Sequence, residues 1–328
     1  MLTGPVLGRF GKVSFPHPGG CVIGERPIDI FLEGFKKMGA SVRVRGDSYI
    51  VETKGGLKAA NIFLKNQSVT ATETFMMAAV LARGETVIKN AALEPEVEDL
   101  ANFLISGGAK ISGIGTTTIK IKGGKVLSAR GKIHTVLPDR IEAGSFLILG
   151  ALAARSLEIK KCNPLHIESL IEMLRACGVA MSIGKTSIKV YGAKTKQIKA
   201  VNIKTHEYPG FPTDIQAPMT VLLTQAFGES LVFETIFEGR LNYTESLSGM
   251  GANIKIMDPH RIIINGPTKL HCKVLESPDL RAGLAFVIAA IVAKGSSVIH
   301  NVYNIDRGYE RVEECLRDIG VDIMRVGG

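Results

Sequence analysis

The 328 residues are 45% hydrophobic, enough for a sizeable core and about two domains and too apolar for a disordered chain. A surplus of 40 Lys and Arg over 31 Asp and Glu gives a net charge of +9, but Trp is absent, Tyr is rare and no aromatic and basic stripe appears, so small anions fit the charge better than nucleic acid. The longest apolar run, 282–293, falls short of the roughly 20 residues of a membrane span; the first five residues lack the pattern of a secretory signal; and the five cysteines (Cys21, Cys162, Cys177, Cys272, Cys315) are scattered without a Cys-x-x-Cys pair. The expectation is a cytoplasmic chain with no membrane contact, no disulfide framework, no metal and no cofactor.

In chain order, residues 1–10 read as the tail of a helix. The segment Pro18-Gly-Gly-Cys21-Val-Ile-Gly24-Glu-Arg26-Pro27-Ile-Asp29 follows. Three glycines around one thiol make a loop that can bring sulfur close to a ligand, and Arg26 would lower the thiol pKa or hold an anion beside it. Such a cysteine suits general acid or nucleophile work; a Gly-rich turn with no role is the plainer alternative, and His17 reads as solvated. An amphipathic helix then ends at Gly39. Ser68 and Val69 open a helix that is apolar nearly all round (71–82), followed by a strand (84–90), an amphipathic helix ending at Gly108 and a tight turn at Gly115-Thr116. The succession returns from Asp139-Arg140, with buried helix 144–154, strand 155–161 and a helix ending at Gly178. It returns again from Thr213-Asp214, with strand 228–234 and a helix ending at Gly251. The last copy runs from Asp279-Leu280-Arg281 through helix 282–293, strand 295–301 and Asn304-Ile-Asp306-Arg307-Gly308-Tyr309-Glu310-Arg311 to Gly320.

The five terminal glycines lie 69, 70, 73 and 69 residues apart, which defines a repeat of about 70 residues. Gly just past a helix C-terminus takes positive φ at no steric cost. Each unit reads strand, buried helix, strand, amphipathic helix and two strands, an α/β unit with sheet and helix layers. The earliest copy begins inside its first helix. Grouping by threes therefore predicts an incomplete first domain, 1–137, carrying the Cys loop, and a complete second domain of three repeats, 138–328.

The polar residues where a strand hands over to a buried helix have two readings. A helix N-terminus binds anions and also accepts a capping side chain; Asp139, Thr213 and Asp279 read as caps. Arg140 and Arg281 beside two of them exceed what a cap requires. Arg307, directly before Gly308, is the other position suited to anion contact. Arg26, Arg281 and Arg307 come from distant parts of the chain, and their convergence on one anion is an expectation that only the fold tests.

These motifs, with Glu94-Pro95-Glu96-Val97-Glu98-Asp99, Leu137-Pro138-Asp139-Arg140-Ile141-Glu142 and Phe211-Pro212-Thr213-Asp214-Ile215-Gln216-Ala217, resemble, in order and along the whole chain, the UDP-N-acetylglucosamine 1-carboxyvinyltransferase family. The resemblance implies a two-domain inside-out α/β barrel of repeated units, the enolpyruvyl transferase fold, with sheets outside, helices buried and a ligand cleft between the domains. It implies transfer of the enolpyruvyl group of phosphoenolpyruvate to the 3-hydroxyl of UDP-N-acetylglucosamine with release of phosphate, the first committed step of peptidoglycan synthesis. By motif, Cys21 would protonate C3, form a covalent adduct with phosphoenolpyruvate and react with fosfomycin, its loop acting as a lid. Asp214 would accept or orient the sugar hydroxyl proton. Arg26 and Arg307 would hold the phosphate and Arg281 the carboxylate. Arg26, Pro27, Ile28, Asp29 and Ile30, with Asn66, Gln67, Ser68, Val69, Asp214 and Ile236, would line the sugar-nucleotide pocket.

Departures accompany the resemblance. The family's N-terminal Lys-Asn pair and a further Arg have no counterpart, and six units would need about 420 residues, so the expectation is a truncated or naturally shortened sequence whose first domain needs a partner or complementing chain. Asn66 stands where the family usually has Lys. Two alternatives follow: a non-catalytic, partner-dependent homologue that binds the sugar nucleotide, and 5-enolpyruvylshikimate-3-phosphate synthase, which the Cys-bearing loop argues against.

Overall fold

Gly39, Gly108, Gly178, Gly251 and Gly320 all adopt left-handed φ, between +82° and +104°. At each, the residue after the glycine donates its N–H to the carbonyl five residues back and the glycine itself to the one three back, as in Ala40 to Phe35 and Gly39 to Lys36. Two carbonyls that a helix end leaves open are thereby satisfied. The period of about 70 residues is thus a repeat of one backbone device.

A computed structural model of the chain describes residues 1–19, 23–24, 28–128, 131–195 and 197–327. Backbone contacts divide them into two units, one within 1–137 and the other within 138–328, and Ile23 and Gly24 group with the second. Cys21, Arg26 and Pro27, singled out by the sequence, lie outside the described residues.

The first unit runs α1 (Thr3–Phe10), β1 (Lys12–Pro16), α2 (Asp29–Lys37), β2 (Ser41–Arg45), β3 (Ser48–Glu52), β4 (Asn61–Phe63), α3 (Val69–Ala79), β5 (Glu85–Lys89), α4 (Pro95–Ser106), β6 (Lys110–Ser112) and β7 (Thr118–Lys122). Its sheets have the orders β1-β3-β2 and β4-β5-β7-β6. Strands β4 and β5 pair in parallel because α3 carries the chain back between them, and the other pairs are antiparallel. Helix α3 buries Ala71 to Met76, Ala78 and Ala79. The Phe75 ring fills the space that a Cβ on Gly34 of α2 would need, so a glycine is what lets these helices meet.

The second unit runs α5 (Arg140–Ala153), β8 (Leu157–Lys160), α6 (Glu168–Ala176), β9 (Met181–Ile183), β10 (Ser187–Val190), β11 (Ile203–Lys204), α7 (Thr213–Thr224), β12 (Gly228–Phe233), α8 (Thr244–Gly249), β13 (Asn253–Asp258), β14 (Arg261–Gly266), β15 (Val274–Glu276), α9 (Leu280–Val292), β16 (Val298–His300), α10 (Tyr303–Asp306) and α11 (Val312–Asp318). Sheets β8-β10-β9, β11-β12-β14-β13 and β15-β16 each present an exposed face. Helices α5, α7 and α9 pack on one another and are buried nearly all round; every residue of α7 from Ile215 to Thr224 is buried. The parallel β11–α7–β12 and β15–α9–β16 crossovers repeat the β4–α3–β5 arrangement of the first unit.

Two expectations are corrected here. The unit pattern places strands after the amphipathic helix that ends at Gly320, but the β-branched run 321–327 that follows forms no strand among the described residues. Arg325 from that run instead donates to both carboxylate oxygens of Asp306, at 2.8 and 2.7 Å, and to Glu313 at 2.8 Å, which ties the tail to α10 and α11. Thr213 is not a cap: the N-cap position of α7 is Pro212, and the Thr213 hydroxyl donates to Glu234 Oε2 at 2.9 Å. The caps read at Asp139 and Asp279 are formed, with Asp139 accepting from Ile141 and Glu142 and Asp279 from Arg281 and Ala282.

Candidate active site

The second unit gathers its polar groups at the N-termini of its central helices. Asp214, in the first turn of α7, accepts from Arg240 Nη2 through Oδ1 at 2.7 Å and from Arg281 Nη2 through Oδ2 at 2.9 Å. The carboxylate is 35% exposed, whereas the side chains of Arg240 and Arg281 are 3% and 13% exposed. Burial would raise the Asp214 pKa, but the two guanidinium groups outweigh it and hold the carboxyl below its ordinary value. One carboxylate against two arginines leaves a surplus of positive charge in a largely desolvated place. The Nε of each arginine has no hydrogen-bond partner among the described residues. Such a pair is suited to an anion, and the fork of a guanidinium matches a carboxylate or phosphate.

Each arginine is set by its own element. The Asp279 cap fixes the first turn of α9 and thereby the backbone of Arg281. The Arg281 guanidinium lies 5.5 Å from the centre of the Tyr309 ring, and its Nη1 donates to the Tyr309 hydroxyl at 3.1 Å. Arg240 lies 5.1 Å from the centre of the Phe237 ring. The turn carrying it is anchored by Glu234, fully buried, whose Oε1 accepts from the N–H of Ile236 and Phe237 at 2.8 and 3.2 Å. Through its other oxygen Glu234 also holds Thr213, so one buried carboxylate ties the start of α7 to the turn bearing Ile236. Pro218, inside α7, lacks the N–H that would otherwise bond the Asp214 carbonyl. Gly239 donates its N–H to Ile23 O at 2.9 Å, so the chain two residues beyond Cys21 in sequence is tethered beside Arg240.

The remaining predicted residues are distributed as follows. Arg307 follows α10 directly and is exposed. In the first unit, Ser68 caps α3 by accepting from Ala71 N at 3.2 Å, Asn66 is exposed, and Gln67 and Val69 are half-buried. Ile28 is buried at the N-cap position of α2, Asp29 opens that helix on the surface, and Ile30 is half-buried. Arg140 reaches over the Tyr208 ring at 5.7 Å, so of the two arginines beside caps only Arg281 joins Asp214. Among the described residues no group of three or more His, Cys, Asp and Glu gathers to hold a metal.

Arg240 and Glu234 were missed by sequence reasoning. Their signal was available in Glu234-Thr-Ile-Phe-Glu-Gly-Arg240, which directly follows the repeat's strand marker.

Residues 1–316 match the family model of EPSP synthase (3-phosphoshikimate 1-carboxyvinyltransferase). The chain belongs to this family of enolpyruvyl transferases. Similar relatives carry the name UDP-N-acetylglucosamine 1-carboxyvinyltransferase. The protein from Koribacter versatilis is 45% identical over 327 residues, covering 100% of this chain and 74% of the relative. That from Acidobacterium capsulatum is 46% identical over 329 residues, covering 100% and 74%, and one from Listeria monocytogenes is 45% identical over 325 residues, covering 99% and 75%. This family member thus spans about three quarters of their length. Among solved structures it is similar in fold to the enolpyruvyl transferase NikO from Streptomyces tendae, with a TM-score of 0.84 at 22% identity over 97% of this chain and 75% of that one. It is also similar to EPSP synthase from Acinetobacter baumannii, with a TM-score of 0.69 at 20% identity over 99% and 78%. The enolpyruvyl transferase fold that the resemblance implies is borne out.

Proposed function

We propose that this chain transfers the enolpyruvyl group of phosphoenolpyruvate to the 3-hydroxyl of UDP-N-acetylglucosamine, releasing phosphate. The relatives named for that reaction, at 43–46% identity, support this substrate pair over shikimate 3-phosphate. The observation that carries the reading at the site is the Arg240–Asp214–Arg281 arrangement: two nearly buried cations share one ionised carboxylate and retain donors for an anion.

The chemistry follows from that arrangement. The sugar oxygen adds to C2 of phosphoenolpyruvate while its proton passes to the Asp214 carboxylate, and C3 takes a proton from the Cys21 thiol. The resulting tetrahedral adduct returns a C3 proton to the Cys21 thiolate as the C2–O bond to phosphate breaks, and the proton held by Asp214 leaves with the phosphate. A substrate carboxylate held by Arg240 and Arg281 draws their donors from Asp214, which raises the basicity of a carboxylate otherwise held low. Arg26 and Arg307 are assigned the phosphate. The sugar nucleotide is assigned to residues 26–30, Asn66, Gln67, Ser68, Val69 and Ile236, and residues 1–137 and 138–328 are assigned as the two domains. This reading places the chain in the cytoplasm at the entry to peptidoglycan synthesis; no helix among the described residues is long and apolar enough to cross a membrane.

The test is phosphate release by the purified chain. Release that needs both phosphoenolpyruvate and UDP-N-acetylglucosamine, and is lost in Cys21→Ala, is the expected result. Release with shikimate 3-phosphate in place of the sugar nucleotide would overturn the substrate assignment. No release from a folded sample with either acceptor would favour a binding role.

A further inference from the structure

Tyr309 stands between α10 and α11 and is 1% exposed. Its hydroxyl lies 3.1 Å from Arg281 Nη1 and 3.2 Å from the fully buried Ser145 Oγ on α5. Ser145 Oγ in turn lies 2.8 Å from the carbonyl oxygen of Ile141. The direction of every proton in this series is fixed by chemistry. A guanidinium only donates and a carbonyl only accepts. Arg281 therefore donates to Tyr309, Tyr309 to Ser145, and Ser145 to the Ile141 carbonyl. The hydroxyl is thus held at both ends, and the ring beneath it supports the face of the same guanidinium.

We propose that Tyr309, oriented by Ser145, is a positioning residue that aims the Arg281 guanidinium and thereby sets affinity for the carboxylate-bearing substrate. The inference rests on the proposed reaction. Of the five N–H groups of Arg281, Asp214 and Tyr309 engage one on each terminal nitrogen. The remaining donors include Nε, which has no partner among the described residues. Asp214 alone would leave the guanidinium free to pivot about a single bond; the Tyr309 contact supplies the second point that fixes its plane. Three central elements of the second unit meet in this series, since Ser145 is on α5, Arg281 on α9 and Asp214 on α7.

The experiment is steady-state kinetics on the full chain with Tyr309→Phe, which keeps the ring and its stacking and removes only the hydroxyl. The expected result is a KM for phosphoenolpyruvate raised about tenfold, the scale of one hydrogen bond to a charged group. Both kcat and the KM for UDP-N-acetylglucosamine should stay within about twofold, as expected when an interaction is equally strong in the ground and transition states. Ser145→Ala should move the same constant in the same direction by less. In a cycle with Arg281→Lys, the Tyr309→Phe effect on phosphoenolpyruvate should largely disappear, because no guanidinium remains to be aimed. Equal increases in both KM values, or a fall in kcat that tracks a fall in thermal midpoint, would mark Tyr309 as merely structural and overturn the inference. So would unchanged kinetics, which would mean that Asp214 alone holds Arg281. Absence of turnover in the unaltered chain is a separate result, and would remove the proposed reaction and this inference together.

Discussion

At the scale of single residues, the site is an unbalanced charge arrangement. Asp214 stays ionised because Arg240 and Arg281 hold it, and they are tolerated with little solvent because Asp214 is there. Replacing Asp214 with Asn should lower phosphate release by roughly 10²- to 10⁴-fold, the usual worth of a positioned acid or base. It should also cost about 3 kcal/mol in a denaturation experiment, because two buried cations lose their counter-ion. The pH sign follows from the depressed pKa: the contribution of Asp214 to stability is present above its ordinary value of 3.8 and disappears as pH falls through the lower folded value. Glu73 has the opposite sign. It is 5% exposed on α3, and burial, with Glu96 and then Glu94 nearby, raises its pKa to about 7 while the chain's amino terminus opposes the rise. The folded state therefore holds a proton that the unfolded state releases near pH 4.5, and stability falls as pH rises from there to about 7. Glu73→Gln should raise the unfolding free energy read from chemical denaturation at pH 8 by about 1 to 3 kcal/mol, and change it little at pH 4.

At the scale of elements, the repeat is enforced by helix ends. Gly178 follows α6 at φ +82°, and among the described residues a Cβ there would meet the Gln197 carbonyl at an ordinary 3.5 Å. Gly178→Ala should therefore cost the left-handed backbone penalty without a clash, about 1 to 2 kcal/mol by chemical denaturation. A much larger loss would mean that packing rather than backbone conformation requires the glycine. Helix starts are less uniform. Ser68, Asp139 and Asp279 cap their helices with their own side chains, whereas α7 begins with Pro212 and its Thr213 turns to Glu234. The odd start is the one that bears Asp214. Local preference for a cap gives way there to a buried carboxylate that arranges two segments at once.

At the scale of the whole molecule, each unit has its own helical centre, with one apolar cluster in the first unit and two in the second. Described residues 123–139 carry no helix or strand, and Ile133 is 96% exposed. Lys125 and Lys132 in this stretch are exposed, so limited trypsin treatment followed by mass analysis should find the first cuts there. First cuts inside α5 or α7 would contradict the burial of those helices. His134, which lies 3.1 Å from Asp99 and edge-on to Phe103, is one point at which the stretch is fastened to the first unit, and Ser128, which donates its N–H to the Gly107 carbonyl, is another.

Whatever repeats locally is legible in the order of the residues. Gly39 through Gly320, the apolar helices and the alternating strands follow from backbone conformation and burial pattern within a few residues, so their period is visible without a structure. The sequence also supplied the residue types for anion chemistry, Asp214 and Arg281 among them. Which of these meet follows from packing between distant segments. Asp214, Arg240 and Arg281 come from two repeats, and their bonds span 26 and 67 positions. Arg140 and Arg281 look alike beside their caps, yet one stacks on Tyr208 and the other joins the site. The strand expected after Gly320 has no partner strand among the described residues, and its Arg325 binds Asp306 instead. A cap, a turn or a buried face is satisfied by neighbours in the chain, whereas an ion pair is satisfied by whatever charge the packed helices bring within about 3 Å, and that distance is fixed only when α5, α7 and α9 close on one another.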